Sequence, residues 1–197
     1  MKKLLTTVVM GATFLLASCG TKTTNVTPTT QENSVKQVQL TDGSETVEVK
    51  SNPKKIVTFD LGSADTLRAI GQGETIVGMP TKPLPTYIKD LGEKVQNVGS
   101  MKEPDIEAIA AMQPDLIIAS TRTKDFIPQL KEIAPTVIFN VDSKDYWGSV
   151  QKNVKSLASL FNEEAQQKAA AQVKELQSVI DTIAAQNETH SEKSLAI

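Results

Sequence analysis

The sequence predicts an α/β fold, a mainly parallel sheet lobe followed by one long helix, and two observations carry that prediction. Between residues 54 and 141 short apolar runs rich in β-branched residues alternate with helical segments, the pattern of βα units laid on a parallel sheet. Further on, "NEEAQQKAAAQVKELQSVIDTIAAQ" carries apolar residues at 169, 173, 176, 180 and 183. A helix over residues 163–187 would be about 37 Å long at 1.5 Å per residue. It has too few apolar heptads for a coiled coil.

The first 34 residues stand apart from this pattern. Lys2 and Lys3, an apolar run and the small residues Ala17 and Ser18 have the layout of a secretory signal peptide. The run is too short for a transmembrane helix, which needs about 20 apolar residues. Residues 1–18 are therefore expected to be removed. Cys19 is the single cysteine, so no disulfide can form within the chain. Leu16-Ala17-Ser18-Cys19 with Gly20 following resembles the lipobox of bacterial lipoproteins, which implies that the Cys19 thiol carries lipid and becomes the mature N-terminus. Two or three acyl chains hold a protein on a membrane firmly, whereas one does so marginally. Residues 19–34, threonine-rich with almost nothing to bury, read as a flexible tether outside the cell.

The elements follow in order. "VQLTDGSETVEV" alternates on both sides of Asp42-Gly43 and predicts a hairpin. Then come strand "KIVTFD", helix "LGSADTLRAIG", strand "TIVGM", a helix near "LPTYIKDLG", strand "KVQNVG", helix "EPDIEAIAAMQ", strand "PDLIIAS", helix "KDFIPQLKEIA" and strand "PTVIFNV". From "DYWGSVQKNVKSLASLF" onward the chain is helical, and "NETHSEKSLAI" reads as a turn and the start of another strand. The divisions expected are a lobe over residues 35–160, a connecting helix over 161–189, and the beginning of a second lobe over 190–197. Parallel sheets bind ligands at the carboxyl ends of their strands. Function is therefore sought at Asp60 to Ser63, Met79 to Lys82, Gly99 to Glu103 and Ser120 to Lys124.

This order of elements resembles the substrate-binding lipoproteins of bacterial ABC importers for iron siderophores and vitamin B12. The motifs that carry the resemblance are "PKKIVTFDLGSADTLRAIG", "VGMPTKPLPTYI", "VGSMKEPDIEAIAAMQPDLIIASTR" and "APTV". The wording is nearest to binders of catecholate or petrobactin-like ferric siderophores. The resemblance implies a periplasmic-binding-protein-like fold of two α/β lobes joined by a long helix. It covers the first lobe and that helix, so the second lobe is expected to be missing. An expectation follows: one face of the long helix is bare, and the chain alone binds ferric siderophore weakly and self-associates. The same fold also serves binders of haem, cobalamin and other iron chelates. A non-transport surface lipoprotein is a third class, but it would show repeats or a long stalk.

Arginine occurs only at 68 and 122. Arg122 falls just past strand "DLIIAS", where the ligand crevice lies, and a planar guanidinium suits an anionic oxygen ligand. Its competing reading is a plain surface arginine. Among catecholate-siderophore binders an Arg at the matching place lines the cleft, facing an anionic ferric tris-catecholate. Lys82, beyond "VGMP", is a second candidate against a solvated loop lysine, and Arg68 reads as part of a solvated helical face. Tyr87, Tyr146 and Trp147 could stack on an aromatic chelator, although helix-borne aromatics more often join a core, the reading preferred for Trp147. With Pro104 at the first helical position, Asp105 and Glu107 fall in a first turn that favours acids. Glu107 also lies off the stripe made by Ile106, Ile109, Ala110 and Gln113. The resemblance implies that Glu107, with Glu103 second, docks on arginines of the membrane permease.

Catalysis has no support in the sequence. His190 is the single histidine, no G-x-S-x-G elbow occurs, and the Gly71-x-Gly73 pair lacks a third glycine at 76. No Cys or His cluster offers a metal site, so any iron must arrive inside a chelate. Net charge is −2, from 21 basic and 23 acidic side chains, which argues against nucleic acid.

Overall fold

A computed structural model describes residues 36–42 and 45–188. The leader, Cys19, the tether and residues 190–197 lie outside the described residues. The hairpin is β1 (Gln37–Asp42) against β2 (Glu45–Lys50), antiparallel, with Asp42 opposite Glu45. Asp42, expected at the turn, is the last residue of β1. A second sheet is wholly parallel and five-stranded: β3 (Ile56–Thr58), β4 (Ile76–Met79), β5 (Gln96–Asn97), β6 (Leu116–Ala119) and β7 (Thr136–Ile138), in the order β5-β4-β3-β6-β7.

Strands β3 and β6 are buried along their whole length, as the centre of a parallel sheet requires. Alternate side chains serve opposite faces. Ile56, Leu116 and Ile118 join one cluster with Leu67 of α1 (Leu61–Ala69), Leu91 of α2 (Lys89–Gly92), Leu157 of α5 (Tyr146–Ala158) and Ala165 of α6 (Glu163–Glu188). Val57, Ile117 and Ala119 join the other, with Ile109 of α3 (Ile106–Met112) and Leu130 of α4 (Ile127–Ile133). Helices therefore cover both faces. Each fully buried Leu or Ile contributes about 1.5–3 kcal/mol relative to exposure, so these two clusters dominate the stability of the lobe.

Helix starts are set by side-chain caps. Asp60 opens α1 by accepting from the Ser63 N–H (2.9 Å) and hydroxyl (2.6 Å), and Gly71, at φ +80, follows its end. In α3 the cap is Asp105, whose carboxylate accepts from Ala108 N–H at 2.9 Å. Pro104 thus precedes the cap instead of occupying the first helical position, because it forms a bridge back to Gly99. Glu107 remains in the first turn and is exposed.

The long helix α6 has 26 residues. Its first half packs on the lobe through buried Ala165 and Ala169, and Gln172 donates to Ala69 O at 3.3 Å. The same face continues as Leu176, Val179, Ile180 and Ile183, each between 41% and 51% exposed. Trp147 differs from its expected core position. It is half-buried between two helices, and its indole N–H donates to Gln177 of α6.

Candidate functional site

The carboxyl ends of β3, β4, β5 and β6 open into one cavity of about 520 Å³. Its lining takes Leu61 from the start of α1, Pro80 to Pro85 without Thr81 from the segment after β4, Ser100 to Lys102 from the loop after β5, and Arg122 from the turn after β6. Each of the four strand-end windows singled out in the sequence contributes. The walls are largely apolar, and three cationic side chains, Lys82, Lys102 and Arg122, stand among them.

Each cation is placed by local chemistry. Ser120 and Thr123 form a reciprocal cap at the start of a 3-10 turn (Thr121–Phe126): the Ser120 hydroxyl accepts from Arg122 N–H (3.2 Å) and Thr123 Oγ1 accepts from Ser120 N–H (2.9 Å). Thr123 is fully buried, so the backbone of Arg122 is fixed while its side chain is exposed. The expected helix over "KDFIPQLKEIA" consequently divides, and α4 begins only at Ile127, with Pro128 in its first turn.

Lys102 lies on a tight loop that periodicity does not reveal. Gly99 has φ +88, a conformation open to glycine, and the loop closes through Ser100 N–H to Glu103 O at 3.0 Å. The Ser100 hydroxyl then accepts from the N–H groups of Lys102 (3.3 Å) and Glu103 (3.0 Å). This geometry directs Met101 and Lys102 to the cavity, while Glu103, like Glu107, is exposed and absent from its lining. Lys102 was not singled out within the expected window Gly99 to Glu103; the glycine ahead of "SMKE" was the available signal.

None of the three cations takes part in an ion pair among the described residues. Tyr87 does not join them. It is 54% exposed and outside the lining, because the 3-10 turn Thr86–Ile88 buries Ile88 instead. Tyr146 is likewise exposed, at 66%. Arg68 departs from a solvated helical face: its guanidinium is held by Asp65, Asp90 and the Tyr87 carbonyl. Among the described residues no three His, Cys, Asp or Glu side chains gather where a metal could sit.

Known proteins share this architecture. The sequence matches the periplasmic binding protein family over residues 56–197. Petrobactin-binding protein YclQ of Bacillus subtilis is 35% identical over 153 residues, 76% of this chain and 48% of that protein. ABC transporter substrate-binding lipoprotein YvrC of the same species is 30% identical over 195 residues, 94% of this chain and 60% of the relative. The crystal structure of the iron uptake ABC transporter substrate-binding protein PiuA from Streptococcus pneumoniae superposes with a TM-score of 0.75 at 54% identity, covering 77% of this chain and 54% of that one. The chain spans about half the length of the relatives it matches.

Proposed function

The chain belongs to the periplasmic binding protein family, and from that premise we propose that it captures a ferric siderophore outside the cell and delivers it to an ABC permease. One observation carries the reading. Three cations without an ion pair among the described residues, Lys82, Lys102 and Arg122, converge on a cavity with apolar walls at the carboxyl ends of parallel strands. A ferric tris-catecholate is anionic at its metal centre and apolar at its rings, so it matches both features. Charge-assisted contacts to such a ligand are about twice as strong as neutral ones. The volume falls within the range of about 300–1,000 Å³ usual for small-ligand sites.

The rest of the chain fits transport. Lipid on Cys19 would hold the protein at the membrane, and the tether over residues 19–34 would let the lobe reach its permease. Glu107 and Glu103 would dock on permease arginines, since both are exposed and neither is engaged by the cavity. Names among the relatives support an iron chelate as cargo: YclQ is a petrobactin binder and PiuA an iron-uptake protein.

Isothermal titration of the lipid-free chain (residues 20–197) tests this. A ferric catecholate binds, the affinity falls as salt rises, and Arg122→Ala, Lys82→Ala and Lys102→Ala each weaken it about tenfold. Equal affinity for a neutral ferric trihydroxamate, or an Arg122→Ala protein with unaltered affinity, would refute the reading.

A further inference from the structure

We propose that Arg68 is a positioning residue for the cavity, gripping from α1 the far end of the proline-rich strap that carries Lys82. The strap, residues 80–88, supplies Pro80, Lys82, Pro83, Leu84 and Pro85 to the lining. It is half of the site's wall, yet little of it is laced to the sheet. Three of its residues are prolines without an N–H. Its bonds at the two ends are Thr81 N–H to Asn97 Oδ1 at 3.3 Å and Ile88 N–H to Pro85 O at 3.2 Å. A segment with so few bonds belongs to the low-stability end of a fold, so what pins it decides where Lys82 stands.

Two apolar anchors help. Ile88 is fully buried, and Leu84 lies over Gly92, where a Cβ would run into Leu84 Cδ1. The polar anchor is Arg68. Its Nη1 donates to the Tyr87 carbonyl at 2.6 Å and to Asp90 Oδ1 at 3.0 Å, while Nη2 donates to Asp65 Oδ1 at 2.6 Å. Asp65 lies one turn back on the same helix and aims the guanidinium; Tyr87 and Asp90 flank the strap's far end. A planar fork can serve three acceptors on two segments at once, which a lysine amine does poorly. The ion pairs are partly solvated, with side-chain exposures of 35%, 42% and 62% for Arg68, Asp65 and Asp90, so salt screens them. The backbone contact to Tyr87 O joins the strap to α1 directly.

The relevance of the clamp to ligand capture rests on the proposed function, but the clamp itself is read without ligand. Hydrogen–deuterium exchange is followed on the lipid-free chain, native and Arg68→Ala. Peptides covering residues 81–92 exchange about tenfold faster in the variant, and those covering β3 and β6 do not change. Arg68→Lys restores only part of the protection. Asp90→Asn removes one arm with Arg68 in place and gives a smaller increase in the same peptides, so the clamp is tested even if Arg68→Ala fails to fold. Unchanged exchange over residues 81–92, or an increase shared with β3 and β6, overturns the clamp. In titrations with a ferric catecholate, Arg68→Ala weakens binding in the native chain and has a smaller effect in Lys82→Ala, where only the strap's apolar lining remains to be displaced. A loss that persists undiminished in Lys82→Ala overturns the link to that lysine. Absence of chelate binding by the native chain, with the local exchange change intact, counts against the function and not against the clamp.

Discussion

Substituting Gly99 by alanine strikes the loop that delivers Lys102, and the structure allows the cost to be worked out. Left-handed backbone costs an alanine roughly 1–2 kcal/mol. The added Cβ would also overlap Glu103 O and lie 2.9 Å from Asp105 N. Both are backbone atoms and cannot swing aside as a side-chain tip does. The loop must open, breaking Ser100 N–H to Glu103 O (3.0 Å) and straining Asp105 N–H to Val98 O (2.9 Å), at about 0.5–1.5 kcal/mol per bond. The sum is about 2–5 kcal/mol. Gly71 provides the contrast. At φ +80 it carries the same conformational penalty, but a Cβ there meets only the mobile Lys168 Nζ, at 3.1 Å. Gly71→Ala should therefore cost only the backbone part, about 1–2 kcal/mol. Urea unfolding of the lipid-free chain measures both as shifts in midpoint at constant slope. Titration with a ferric catecholate then shows weaker binding for Gly99→Ala beyond any stability loss, since Met101 and Lys102 have moved, and native affinity for Gly71→Ala. Equal midpoints for the two variants would refute the claim that backbone crowding at Gly99 shapes the site.

Other outcomes follow from the same structure. Cys19→Ala releases the protein into the soluble fraction, because it removes the atom expected to carry lipid; unchanged membrane partition in a fractionation sinks the anchor. Glu107→Ala slows siderophore uptake in cells and leaves affinity for the chelate intact, since Glu107 stands outside the cavity lining; a loss of affinity would assign it a different role. At the start of α6 the Lys168 ammonium, by hydrogen bond and charge, holds the Glu164 carboxyl below its ordinary pKa. A carboxyl depressed in the folded state adds stability above its unfolded pKa and loses it as pH falls through the folded value. Glu164→Gln thus lowers Tm slightly at neutral pH and not at about pH 2, below the usual carboxylate range; the same gap at both would remove the ion pair as its cause.

The sheet was legible because burial on both faces leaves a compositional mark. "LIIA" in β6 is buried at every position, and no other element type explains four such residues beside Pro114 and Ser120 as simply. Legibility failed where a turn competes with a helix or strand. "KVQNVG" yields only the two-residue strand Gln96–Asn97, polar and exposed at the sheet's edge. "EPDIEAI" offered both Pro104 and Asp105 as helix starts, and the side chain that could accept from Ala108 N–H won. In "STRTKDF" the Ser120–Thr123 cap tightened the first turn into a 3-10 segment. These contests are settled by single hydrogen bonds of about 1 kcal/mol, below what periodicity can register.

Within the site, Lys82 and Arg122 could be found because strand ends locate the crevice of a parallel sheet before any side chain is known. Lys102 could not be separated from the many other lysines on charge alone. The strand-end rule marked its window, Gly99 to Glu103, but the residue itself is singled out by Gly99, whose positive φ folds the loop back on Glu103. Arg68 shows the deeper limit. By helical spacing it belongs to a polar face, and there its reading as a solvated residue is sound for a helix in isolation. Its partners Tyr87 and Asp90 lie 19 and 22 residues away in sequence, brought back by the turn through β4. The strap that holds one wall of the cavity is thus fixed by a contact between segments whose patterns contain no trace of each other, so the residue that matters to the geometry reads, in the chain, as one more surface charge.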